Sequence, residues 1–311
     1  MDVPQRYLTN RINYQLLITP MIRYWRNLII FASSVLLVGV AAVIVSYTYQ
    51  AALGYPHPSR VIRPIDDTPA KFGIAYQDVT LKTVDGLKLS AWYTPPKNGA
   101  VILVAHGYHG VRDLNMHVFF AKHGYGVVNW DFRAHGESEG DLSTIGYNEV
   151  RDVEAALDFA LAQPNVKKVG AWGGSMGGAA TIMAAAKRNE ISAVVADSAF
   201  ATLEGQLDTM VKVAALRPLV RFFAEREAGM SVEMVRPVDH VARLSPRPVL
   251  IIQGLADDSI PINSAQRLYD AASEPKLLWQ ELNVGHVGMK TVYPDQYEKK
   301  VFAFFDAALR K

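Results

Sequence analysis

A chain of 311 residues, half of them hydrophobic and a fifth charged, suits one large globular domain with something added to it. It has no cysteine, which excludes disulfides, thiolate metal sites and a cysteine nucleophile. The net charge of +2 is unevenly placed, because residues 1–26 hold four arginines against one aspartate. The remainder is slightly acidic, and nothing in this balance points to nucleic acid.

Asn27 to Leu53 contains no charged residue. Within it Leu28–Tyr47, at ~1.5 Å per residue, matches the ~30 Å core of a bilayer. The apolar region of a cleaved signal is usually about 7–15 residues with small residues before the cut. This run is longer and ends in Tyr47, Tyr49 and Gln50, so an uncleaved anchor over 27–53 is expected. Arg6, Arg11, Arg23 and Arg26 precede the span, and no Lys or Arg follows until Arg60. The positive-inside rule then puts residues 1–26 in the cytoplasm and the rest in the periplasm or outside. Tyr24 and Trp25 at one end, with Tyr47 and Tyr49 at the other, fit interfacial aromatic belts.

Residues 54–75, rich in Pro, Gly and Asp, read as a linker to a domain over 76–311. Gln77–Val84 and Leu87–Tyr93 are alternating runs joined by Asp85-Gly86, a hairpin signal. After Pro95-Pro96 come strands Val101–Ala105, Tyr125–Trp130, Val166–Trp172, Ala193–Ala196, Val249–Ile252 and Leu277–Leu282. Helices are predicted at Asp113–His123, Tyr147–Ala162, Met176–Arg188, near Ser264–Ala272 and at Asp295–Leu309. Apolar strands alternating with helices predict an α/β fold with a mostly parallel sheet covered on both faces. The stretch between Phe200 and Pro248 has helical periodicity and no strand, so 201–247 reads as a helical cap, with helices Leu203–Ala228 and Val232–Arg243, over the C-terminal strand ends.

Gly173-Gly174-Ser175-Met176-Gly177 carries the chemistry. It lies between a strand and an Ala-rich helix, the setting of the G-x-S-x-G nucleophile elbow. A serine there sits on a sharp turn with Oγ exposed, and side chains at the flanking glycines would collide with the strand and helix.

With the elbow, the leading hairpin and the cap in place, the chain resembles the α/β-hydrolase fold over residues 76–310. Its branch is similar to membrane-anchored hydrolases near serine aminopeptidases and monoglyceride lipases. Four segments carry the resemblance. His106-Gly107-Tyr108 follows the strand whose loop gives this family an oxyanion-hole amide, which implies Tyr108 and Met176 as the two donors, with His106 structural. Asp131-Phe132-Arg133-Ala134-His135-Gly136-Glu137-Ser138 is similar to the family's D-x-R-G-H-G-x-S, with Ala134 at the usual glycine and His135 structural. Gln253-Gly254-Leu255-Ala256-Asp257-Asp258-Ser259-Ile260-Pro261 matches a G-x-x-D pattern that selects Asp257 as the acid, with Asp258 and Asp197 as alternatives. Val284-Gly285-His286 places His286 beyond the last strand, where the family has its base.

The resemblance implies a Ser175–His286–Asp257 serine hydrolase that needs neither metal nor cofactor. Carboxylic-ester cleavage is the first expectation, with Met210, Val213, Leu216, Leu219, Phe222, Phe223 and Met230 of the cap facing an apolar acyl group. The same residues at helical spacing also suit the cap's own packing face. A serine aminopeptidase is the alternative, requiring a carboxylate such as Glu204, Glu225, Glu227 or Glu233 to hold an amine. A catalytically silent, membrane-tethered binding domain is the third. The partners expected are an acyl ester or peptide substrate and the bilayer; the sequence names no protein partner.

Overall fold

A computed structural model describes residues 14–64 and 67–310, in two units split after Thr48. Arg6 and Arg11 of the basic tail lie outside the described residues. Helix α1 runs from Tyr14 to Leu53, and an 18-residue stretch within its Ile18–Leu53 part has a mean hydropathy of 2.9. Leu36, Leu37 and Val43 stand exposed along it. That helix is long and apolar enough to cross a membrane.

The second unit is built on an eight-stranded sheet: β1 (Gln77–Lys82), β2 (Lys88–Thr94), β3 (Ala100–Ala105), β4 (Gly126–Trp130), β5 (Lys168–Gly174), β6 (Ile191–Asp197), β7 (Val249–Gly254) and β8 (Lys276–Glu281). Their spatial order is β1-β2-β4-β3-β5-β6-β7-β8. The two pairings made by β2 are antiparallel and the others parallel. β3, β4 and β7 are buried along their whole length, as strands covered on both faces must be. This is the α/β-hydrolase fold.

The covering helices are α2 (Leu114–Lys122), α3 (Glu149–Leu161), α4 (Met176–Ala185), α5 (Leu203–Met210), α6 (Arg217–Ala228), α7 (Ser264–Ala271), α8 (Met289–Val292) and α9 (Pro294–Leu309). The main core cluster gathers α3 and α4 residues such as Leu157 and Ile182 with the sheet; a second gathers Phe120 of α2 with Tyr297 and Phe305 of α9. Each such fully buried side chain contributes roughly 1.5–3 kcal/mol. Asp113 starts α2 by accepting the Met116 amide at 3.0 Å.

The cap differs from the expected pair of long helices. The first is broken between Met210 and Arg217, where Val211 and Val213 take extended backbone (ψ 94° and 99°) and Pro218 occupies the first turn of α6. The second is only short 3₁₀ turns at Val232–Met234, Pro237–Asp239 and Val241–Leu244. Pro237 in the middle of that stretch cannot supply the amide a continuing helix needs.

Candidate active site

Strand order places the site. β3 and β5 are neighbours in parallel register, with Ala105 opposite Gly173, so the loop leaving β3 lies beside the turn leaving β5. Asp197 at the end of β6 is opposite Gly174. Asp257 follows β7 and His286 follows β8. Tyr108, Ser175, Asp257 and His286 therefore collect at the C-terminal edge of the sheet.

Ser175 adopts φ 53° and ψ −122°, a strained turn between β5 and α4. A Cβ on Gly173 would strike the backbone of Gly177, and one on Gly177 would strike the Ala105 carbonyl. The elbow is held from the side as well: its amide donates to the Asp197 carbonyl at 2.8 Å.

His286 Nδ1 lies 2.8 Å from Asp257 Oδ2. The other carboxylate oxygen of Asp257 accepts the amides of Ser259 and Ile260 at 2.9 and 3.0 Å, and its side chain is fully buried. Holding an ionised carboxylate this way leaves Nδ1 as the donor and Nε2 of His286 as the acceptor. Asp258 is exposed and, among the described residues, accepts only its neighbour's hydroxyl, from Ser259 at 3.2 Å.

Asp197, the other alternative acid, sits behind the site. Its Oδ2 accepts the Tyr297 hydroxyl at 2.9 Å, and Tyr297 in turn accepts the Trp172 indole N–H at 2.8 Å. Burial pushes its carboxyl up to about 6. Next to it, Ser198 Oγ accepts the amide of Val287 at 3.0 Å. Ser198 and Val287 both have positive φ, 53° and 48°. Ser198 thus fixes the loop that bears His286, a role that no sequence motif announced.

Two further histidines, His106 and His135, shape the loop after β3. His106 Nδ1 is 2.7 Å from the Gly107 carbonyl, and its Nε2 accepts the Phe132 amide at 2.9 Å. Burial lowers His106 to about 3, so it is neutral. His135 Nε2 accepts the His109 amide at 3.2 Å while Nδ1 is 2.8 Å from the Arg133 carbonyl. Arg133 itself is clamped on buried Asp152, with Nη2–Oδ1 at 2.6 Å. The backbone amides of Tyr108 and Met176 donate to no protein acceptor among the described residues.

Ser175 and His286 line two cavities. One, about 590 Å³, is also lined by Arg63, Asp67, Asn115, Tyr108 and Trp172; the other, about 440 Å³, by Gln206, Thr209, Met210, Lys212 and Asp258. Of the seven apolar cap residues expected to face substrate, Met210 alone lines either cavity. Leu216 and Phe223 pack on Val220 and Ala224, Met230 joins the main core, and Val213 and Phe222 are exposed. The four cap glutamates are also elsewhere. Arg221 holds Glu204, Glu225 and Glu233, and Glu227 meets His57 at 3.0 Å.

The family model described as the prolyl oligopeptidase family matches residues 111–311. An uncharacterized protein of Mycobacterium tuberculosis is 31% identical over 223 residues, covering 68% of this chain and 73% of its own. The α/β hydrolase domain-containing protein WAV2 of Arabidopsis thaliana is 26% identical, covering 79% of this chain and 83% of its own. Among solved structures, an esterase of Pyrococcus furiosus superposes with a TM-score of 0.70 at 27% identity, covering 82% of this chain and all of that one.

Proposed function

The chain belongs to the prolyl oligopeptidase family of α/β hydrolases, and we propose that it is a membrane-anchored serine hydrolase cleaving carboxylic esters. The observation that carries this reading is the 2.8 Å His286–Asp257 hydrogen bond beside a strained Ser175, at a cavity that Ser175 and His286 share. The structurally similar Pyrococcus furiosus protein is an esterase, which supports the ester over the peptide.

Ser175 Oγ attacks the acyl carbonyl while its proton passes to His286 Nε2. Asp257 keeps the imidazole in the tautomer that can accept it and stabilises the imidazolium. The oxyanion rests on the amides of Tyr108 and Met176, each worth on the order of 3 kcal/mol of barrier. The tetrahedral species expels the alcohol, which takes the proton from His286. Water, deprotonated by the same nitrogen, then attacks the acyl-enzyme and releases the acid.

Peptide cleavage is the second reading, on the strength of the family's description. Asp258, exposed at the 440 Å³ cavity, is the carboxylate there that could hold a substrate amine. Fluorophosphonate labelling of the full-length protein tests the nucleophile. Rates on p-nitrophenyl acetate and butyrate against aminoacyl-p-nitroanilides then rank ester against peptide, and faster anilide turnover would put the peptide first.

A further inference from the structure

Residues 54–64 and 67–72, expected as part of a tether, lie along the domain and are fastened to it. Pro56 accepts the Ser143 amide at 2.8 Å. Arg60 spends its guanidinium on three carbonyls, those of Gly136, Ser138 and Gly140, at 3.0, 2.6 and 2.5 Å. Arg63 bridges to Asp67 at 2.5 Å and donates to the Arg112 carbonyl. Two of these fastenings reach the loop between β3 and α2. Arg112 is at its far end, and at its near end the Tyr108 hydroxyl lies 2.5 Å from the Tyr55 carbonyl and 3.0 Å from that of Gly54. Burial raises the Tyr108 phenol, so it remains a donor to those carbonyls. The same segment puts Arg63, Asp67 and Phe72 into the wall of the 590 Å³ cavity at Ser175.

We infer that this membrane-proximal segment is part of the reactive centre: it positions the Tyr108 amide for the oxyanion and forms one side of the substrate cavity. The inference rests on the serine-hydrolase reading. Its chemistry is that of aim. His106 and His135 hold the loop through Gly107 and His109, and the fastenings at Tyr108 and Arg112 add a second hold from the segment's side. An amide that drifts by a fraction of an ångström gives up the transition state and not the ground state, because the oxyanion exists only in the former. Tyr108 and Arg63 are positioning residues in this scheme, acting through the loop.

The test uses the full-length chain in detergent, with kcat counted per fluorophosphonate-titrated site so that lost folding does not read as lost rate. Tyr108→Phe keeps the backbone amide and removes only the hydroxyl anchor; Arg63→Gln removes the other. Each should lower kcat about tenfold and weaken a boronic-acid inhibitor by the same factor; KM should stay within a factor of two for Tyr108→Phe and rise for Arg63→Gln, which also removes part of the cavity wall. If Tyr108→Phe does not fold, Arg63→Gln decides alone. Wild-type turnover together with an unaltered kcat per site in the variants overturns the positioning role. A wild-type protein that takes no label and cleaves no ester overturns the hydrolase reading and this inference with it.

Discussion

Asp257 and His286, 29 residues apart in the chain, meet through one 2.8 Å hydrogen bond, and the second oxygen of Asp257 is spent on two backbone amides. The carboxylate is therefore aimed before any substrate arrives. Asp257→Asn should lower kcat by about 10⁴ through the wrong tautomer. Asp258→Asn, exposed and, among the described residues, bonded only to Ser259, should be mild. Steady-state rates of the two variants would reassign the acid if the ranking came out reversed.

Ser175→Ala should abolish ester hydrolysis and fluorophosphonate labelling while the circular dichroism spectrum is unchanged. His286→Ala should cost nearly as much, on the order of 10⁶ in kcat, since nucleophile and base act as a unit. Turnover by Ser175→Ala near the wild-type rate would end the assignment.

His117 is fully buried, its Nε2 2.8 Å from Thr94 Oγ1, and burial holds it down to about 3. In the unfolded chain it takes a proton below about 6.5. Its folded value is depressed, so its contribution is intact above that pH and falls away as pH drops toward 3. Urea titrations of wild type and His117→Gln should therefore converge on acidification, wild type losing roughly 1.4 kcal/mol more per pH unit between about 6 and 4. Parallel stability curves for the two proteins would contradict a buried neutral imidazole.

Ala134 occupies a left-handed conformation, φ 61°, at the position where the resembled motif has glycine. Ala134→Gly should stabilise the fold by about 1 kcal/mol by removing the Cβ strain. Chemical denaturation checks this, and a destabilised variant would mean that the methyl's packing outweighs its strain.

The proposed topology puts the hydrolase domain outside the cytoplasm. Alkaline phosphatase joined after Lys311 should be active and green fluorescent protein at the same place dark. The opposite pair of results would turn the protein around. A mature form starting near residue 52 and released in soluble form would make the span a cleaved signal.

The sheet was legible in the sequence because its strands are short, apolar and bounded by glycine and proline, and because a parallel sheet hides both faces. Ser175, Asp257 and His286 were legible because each falls just beyond a strand at a glycine-bearing turn. The cap was read as too regular: helical periodicity over 203–228 could not reveal that Val211 and Val213 extend the backbone. Its apolar residues follow a stripe that packing explains, so their spacing was no guide to the cavity. Ser198, Tyr297 and Trp172 went unnoticed since their roles are contacts between distant segments, which leave no local pattern. The same holds for Gly54–Phe72, whose turn-forming composition describes a tether and a fastened strap equally well.

The pairing of Ala105 with Gly173 and of Gly174 with Asp197 has a consequence for synthesis. In the proposed mechanism oxyanion loop, nucleophile, acid and base come from the ends of four strands, β3, β5, β7 and β8, and β8 is the last strand in chain order. Such long-range pairings form late and together. A growing chain that has already made Ser175 does not yet hold His286, the base proposed to activate it. On the proposed mechanism, chemical competence therefore arrives with completion of the sheet, and activity would be a readout of finished folding.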